Sequence, residues 1–140
     1  MFTLNIDSKK VDFRTTINGF VEDFRNAKLT YSKDRLRIYE VEEFVLNLPF
    51  KSNVSFSFEN EFLIGIDIGT KFDFFNSFHY DVKQSYKTYN DALIKIYGSP
   101  NRKKKLFETK SIWKFDDAII EHYLFDRFGI QEVLSIKLKK

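Results

Sequence analysis

Phe56-Ser57-Phe58-Glu59-Asn60-Glu61-Phe62-Leu63 is the stretch on which the fold of this chain turns. Val54, Phe56 and Phe58 alternate with Ser55, Ser57 and Glu59, and Phe62, Ile64, Ile66 and Ile68 alternate with Leu63, Gly65, Asp67 and Gly69. A period of two with apolar residues on one side marks half-buried strands. Between the two runs, Glu59-Asn60-Glu61 reads as a turn, because Asn tolerates the positive φ that tight hairpins need. Trp113-Lys114-Phe115-Asp116-Asp117-Ala118-Ile119-Ile120 repeats the same order of residue types in degenerate form. Upstream, Thr16-Ile17-Asn18-Gly19-Phe20-Val21 and Thr88-Tyr89-Asn90-Asp91-Ala92-Leu93 share a second signature. A pseudo-repeat of a helix-then-hairpin unit is therefore expected, with halves of about 1–70 and 71–140 in one domain.

The flanking sequence fits that frame. Phe2, Leu4 and Ile6, then Val11 and Phe13, alternate around Ser8-Lys9-Lys10 and predict an opening hairpin. Thr15 or Thr16 offers an N-cap, and Ile17, Phe20, Val21 and Phe24 follow at helical spacing, which predicts a helix of about ten residues. Phe44, Leu46 and Leu48 alternate up to Pro49, so a strand is expected there. Tyr86, Tyr89, Leu93, Ile96 and Tyr97 share a face of a second helix, stopped by Gly98 and Pro100. Trp113 to Phe125 and Gln131 to Leu138 supply the last strands. The expected fold class is α+β, an antiparallel sheet of about eight strands with two helices packed on one face.

Composition narrows the function classes. The 140 residues suffice for one core, since a domain of this size buries roughly 68–70% of the surface its unfolded chain exposes. Seventeen Phe favour sheet faces filled with aromatics. The chain has no cysteine, which excludes disulfides, thiolate metal sites and cysteine nucleophiles. No run approaches a membrane span, and residues 1–7 alternate where a signal peptide needs an apolar block, so a cytoplasmic protein is expected, with no membrane partner. The net charge of +3 is uneven: residues 1–70 carry 9 basic and 11 acidic side chains, residues 71–140 carry 14 and 9. Most of the excess lies in residues 101–110, where five basic residues meet one acid, and this segment reads as a basic loop.

Several constellations could carry chemistry. Ile64-Gly65-Ile66-Asp67-Ile68-Gly69-Thr70 resembles the first phosphate-binding segment of the actin, Hsp70 and sugar-kinase superfamily. That family is built from two large α/β lobes for which 140 residues leave no room, so the run reads as a hairpin strand with Gly69 in turn geometry. His122 lies among Asp116, Asp117, Glu121, Tyr123, Asp126 and Arg127. On a strand, Glu121 and Tyr123 point away from His122, so these neighbours form no acid/base pair, and a structural or surface role is expected. His79 and His122 make no metal pattern. No catalytic residue, metal or cofactor is expected.

Binding is the remaining expectation. Residues 72–80 hold six aromatic-ring residues in nine, counting His79, and Phe74, Phe75, Tyr80 and Trp113 are candidate anchors for a protein partner. Arg102, Lys103, Lys104, Lys105 and Lys110 are candidates for steering an acidic partner or for contacting phosphates. Tyr97-Gly98-Ser99-Pro100 and Ile112-Trp113-Lys114-Phe115-Asp116-Asp117 resemble small bacterial proteins built on helix-plus-antiparallel-sheet units. Such units occur in beta-lactamase inhibitory protein, in BamE-type lipoproteins and in immunity proteins that neutralise toxins. This chain lacks the cysteines of the first two. The resemblance implies a non-enzymatic, protein-binding module, in its sharpest form an immunity protein that blocks a toxin by steric occlusion. The alternatives are a nucleic-acid-binding accessory protein using residues 101–110 and a carrier of a small apolar ligand between Phe-rich walls.

Overall fold

The computed structural model describes residues 1–70, 81–126 and 129–139. The chain opens with the strands β1 (Leu4–Ile6) and β2 (Lys9–Val11), which form a separate antiparallel pair. Asp7 and Ser8 make its turn, at φ 46 and 69. Helix α1 (Ile17–Asp23) follows, then β3 (Lys28–Lys33), β4 (Leu36–Phe44), β5 (Lys51–Glu59) and β6 (Phe62–Thr70). After helix α2 (Val82–Tyr97) come β7 (Asn101–Lys105), β8 (Glu108–Lys114), β9 (Ala118–Asp126) and β10 (Ile130–Leu138). The large sheet has the order β3-β4-β5-β6-β10-β9-β8-β7, antiparallel throughout, as expected for an α+β chain. Each helix thus precedes a four-strand meander, and the meanders join where β6 pairs with β10.

The segments that looked alike in sequence do mark hairpins, but at different places. Residues 56–63 cross from the third to the fourth strand of the first meander, whereas residues 113–120 cross from the second to the third of the next. Thr16 caps α1 while Thr88 lies inside α2. The likeness therefore reports hairpin chemistry, which any aromatic strand followed by a polar turn satisfies, rather than equivalent positions.

Alternation on β5 is strict: Ser52, Val54, Phe56 and Phe58 are buried. The register places Val41 of β4 and Ile68 of β6 beside Val54, and Tyr39 and Ile66 beside Phe56. Ile66 and Ile68 in turn meet Ile136 and Leu134 of β10, which meet Ile120 and His122 of β9. Phe20 of α1 sits on this surface, with ring centroids 4.6 Å from Phe56 and 5.3 Å from Phe58. Thr16 accepts a hydrogen bond from the Gly19 N–H at 3.3 Å, which closes the helix start. Asn60 stands at φ 58 in the β5–β6 turn, as its residue type required. Helix α2 is tied down by Tyr89, whose hydroxyl meets the Ser52 hydroxyl at 2.5 Å, and by Tyr97, which donates to the Thr3 carbonyl at 2.7 Å. Gly98 ends it at φ 87, a conformation that strains any side chain.

Four expectations need correction. The strand expected up to Pro49 ends at Phe44, since Leu46 and Asn47 have φ 56 and 57 and form a turn that drops Leu46 into the core. Gly69 lies inside β6, paired with Asn53 of β5, and is no turn residue, so the phosphate-loop likeness at residues 64–70 lies within a strand. Helix α1 is seven residues, shorter than expected, because Phe24 already leaves helical geometry at φ −122. The basic segment is not a loop: residues 101–105 form β7 and residues 108–114 form β8. No helix among the described residues is long and apolar enough to cross a membrane.

Candidate interaction surface and the polar cluster behind it

Among the described residues, β7 is the last strand of the sheet and pairs with β8 alone. Its register joins Asn101 to Ile112, Arg102 to Ser111, Lys103 to Lys110, Lys104 to Thr109 and Lys105 to Glu108. On the far side of β8, the Asp126 N–H bonds to the Phe107 carbonyl at 3.0 Å, so Phe107, Thr109 and Ser111 direct their backbone groups toward β9. Glu108, Lys110 and Ile112 therefore direct theirs toward β7, where Lys105, Lys103 and Asn101 receive them. The N–H and C=O groups of Arg102 and Lys104 are left pointing outward from the edge.

The side chains divide by the same alternation. Arg102 and Lys104 share the face of Ser111 and Thr109, and Lys103 and Lys105 share that of Lys110 and Glu108. The hairpin tip is Leu106 and Phe107, 88% and 64% exposed. Beside it lies a shallow hollow of about 200 Å³ lined by Leu106, Phe107, Leu124 and Ile130, with Lys83 of α2 and Lys104. Among the described residues, Lys103, Lys104 and Lys105 have no ion-pair partner.

Arg102 and Lys110 behave differently from these lysines. Lys110 Nζ lies 2.9 Å from Glu121 Oε2 and 4.4 Å from the ring centroid of Tyr123, which itself donates to Glu121. Hydrogen bonds with Tyr123 and then Glu121 raise the Lys110 ammonium above its ordinary pKa. For Glu121, burial opposes ionisation, but the bonds from Tyr123 and Lys110 prevail and hold the carboxyl below its usual range. Burial, followed by the bond to Glu121, pushes the Tyr123 phenol up. Lys110 is thus a neutralised partner of Glu121 and not a free steering charge.

Arg102 turns inward. Its Nη2 donates to Asn90 Oδ1 at 3.2 Å. A guanidinium has only donors, so this bond assigns the Asn90 amide: Oδ1 accepts, and Nδ2 donates to Ser111 Oγ at 3.1 Å and to His122 Nδ1 at 2.9 Å. His122 Nδ1 must then be an acceptor, and its Nε2–H donates to Glu132 Oε2 at 2.6 Å. Ser85 donates to the other Glu132 oxygen at 2.5 Å, and Tyr86 stacks on the imidazole with centroids 4.2 Å apart. His122 is 0% exposed. The ring is a structural bridge between α2, β9 and β10, the buried one of the two placements, structural or surface, expected for it. Its partner Glu132 was not legible, because it reaches the ring only through the β9–β10 register, which sets Leu134 opposite His122 and Glu132 opposite Leu124.

Of the expected anchors, Trp113 is 4% exposed and donates its Nε1–H to the Gly98 carbonyl at 2.8 Å, so it serves the core and the end of α2 rather than a partner. Phe74, Phe75 and Tyr80 lie outside the described residues. The exposed apolar pair that sequence reading missed, Leu106 and Phe107, gave no signal because two apolar residues after a basic run carry no period. Among the described residues no group of three or more His, Asp or Glu is placed to hold a metal ion. Comparison with family models, with curated proteins and with solved structures found no match.

Proposed function

We propose that this protein is a non-enzymatic, cytoplasmic protein-binding module of bacterial type, acting in the manner of an immunity protein by covering a partner's working surface. The observation that carries the reading is the β7–β8 hairpin: two large apolar side chains stand in solvent at its tip, and three lysines with no ion-pair partner among the described residues run up to it. Exposed aromatic and aliphatic residues beside uncompensated charge are the usual composition of an interface, with the apolar pair supplying contact energy and the charge speeding encounter. In this reading Leu106 and Phe107 take over the anchoring role that sequence had given to Trp113, and Lys103, Lys104 and Lys105 steer an acidic partner. In this reading both helices cover one face of the large sheet, and the opposite face, beside the hairpin, is the occluding surface. The burial of His122 supports a non-catalytic role, since its ring has no access to a substrate.

The test compares capture from source-cell lysate on immobilised wild-type protein and on the Leu106→Ser/Phe107→Ser variant, with a stepwise salt wash. The reading expects a discrete protein that survives the wash on the wild type and is absent from the variant. Nucleic acid released from both columns with a steep log–log salt slope assigns the hairpin to phosphate binding instead. Identical protein retention on the two columns contradicts the assigned anchor.

A further inference from the structure

We infer that β7 accepts an extended acidic segment of another protein as an added antiparallel strand, so that the sheet continues across the interface. This rests on the hairpin reading above and specifies the partner's chemistry and the way it docks. The edge is open: the backbone groups of Arg102 and Lys104 point away from β8, and all five residues of β7 are exposed. Main-chain pairing at such an edge gives affinity without sequence information, and the alternating side chains select the partner.

The selecting charges are distributed on both faces. Arg102 directs one guanidinium nitrogen to the neutral Asn90 amide and keeps its charge, and beside it on the helix side stands Lys104, which has no ion-pair partner among the described residues, near Lys83 at the hollow. On the other side lie Lys103 and Lys105, the latter opposite Glu108, and neither has an ion-pair partner among the described residues. An incoming strand therefore meets positive charge above and below, and consecutive acidic residues satisfy both. An apolar residue following the acids reaches the hollow beside Leu106, Phe107, Leu124 and Ile130.

The same charges exclude the alternative occupant, a second copy of this chain. Antiparallel pairing of β7 with another β7 about Lys103 sets Lys103 against Lys103 and Arg102 against Lys104 twice, and like charges directly opposite destabilise a sheet. Pairing with the other edge, β3, brings Lys28 and Lys33 of the second copy alongside the lysines. The lysines thus close the edge to copies of the chain and to neutral strands while leaving it open to an acidic one.

The experiment is an amide-resolved NMR titration of the full chain with a short capped peptide of three consecutive glutamates flanked by valines. Saturable shifts at residues 101–107, with slowed exchange of the Arg102 and Lys104 amides, are expected. Two variants separate pairing from charge. Lys104→Thr removes one charge and weakens binding a few-fold, as one exposed ion pair does. Lys104→Pro also removes an outward donor, which an edge strand tolerates, and is expected to weaken binding by more than about tenfold. Persistent protection of the Lys103 amide in Lys104→Pro verifies that the strand still forms. Equal affinity of the two variants, shifts that map away from β7, or no saturation overturns the inference. If the peptide fails while Leu106→Ser/Phe107→Ser still loses its lysate partner, strand addition is wrong and the hairpin remains the docking site.

Discussion

Asn90 is the residue on which the polar interior depends, because its amide is read at one end by Arg102 and at the other by His122 and Ser111. Replacing it with Leu leaves His122 Nδ1 without its donor and Ser111 short of a partner. A buried polar group left unpaired costs about 1–3 kcal/mol, so Asn90→Leu is expected to lower the unfolding free energy by that order in urea denaturation. In the wild type, nitrogen chemical shifts of the His122 ring are expected to report the neutral tautomer protonated at Nε2. The pair on the opposite face sets a pH window. The Glu121 carboxyl is lowered on folding, so its contribution is present above the ordinary carboxylate value near about 4.3 and is lost as pH falls through the folded value. The Lys110 ammonium is raised on folding, so its contribution holds below about 10.4 and is lost as pH rises through the folded value. Glu121→Gln is therefore expected to cost about 0.5–1 kcal/mol at pH 7, with a smaller difference from wild type at about pH 3. Thermal melts at the two pH values measure it. At this scale the sequence was informative wherever backbone chemistry alone decides, as at Thr16, Asn60 and Gly98. It was silent on Glu132 and Asn90, whose roles depend on which elements fold against one another.

At the scale of elements, α1 is held by one side chain more than by its own propensity. Seven residues are too few for a helix to stand alone in water, and Phe20, with Phe24, Phe56, Phe58 and Tyr39 around it, is the residue that fixes it. Phe20→Ala is expected to cost about 3–5 kcal/mol, against about 1 kcal/mol for Thr16→Ala, which loses only the cap. Denaturant midpoints of the two variants check the ratio. The central strands β5 and β6 were legible because one of their faces is buried and period two follows from that. The edge strands β3 and β7 were not, for the converse reason. Every residue of both is exposed: β7 holds no apolar residue to alternate, β3 has only Leu29 and Tyr31, and a strand wet on both faces reads as a loop.

For the whole molecule, the antiparallel α+β sheet followed from the strand count and the short connections, and the order of strands did not. Hairpins fix neighbours within each meander, but the pairing of β6 with β10 joins residues some 70 apart in sequence, and no local pattern encodes it. That junction places the charged second meander at one end of the sheet and makes β7 an outer edge. The proposed binding role depends on this placement more than on any single residue, because a flexible basic loop would offer charge without an aligned row of donors and acceptors. Amide hydrogen exchange of the free protein across residues 101–105 tests it most directly. The account predicts that the Lys103 amide, bonded to β8, is protected while Arg102 and Lys104 exchange close to the rate of an unstructured peptide. Fast exchange at all of these positions would mean a loop, and protection at all of them would mean an edge already covered; either result would contradict the open strand on which the function is argued.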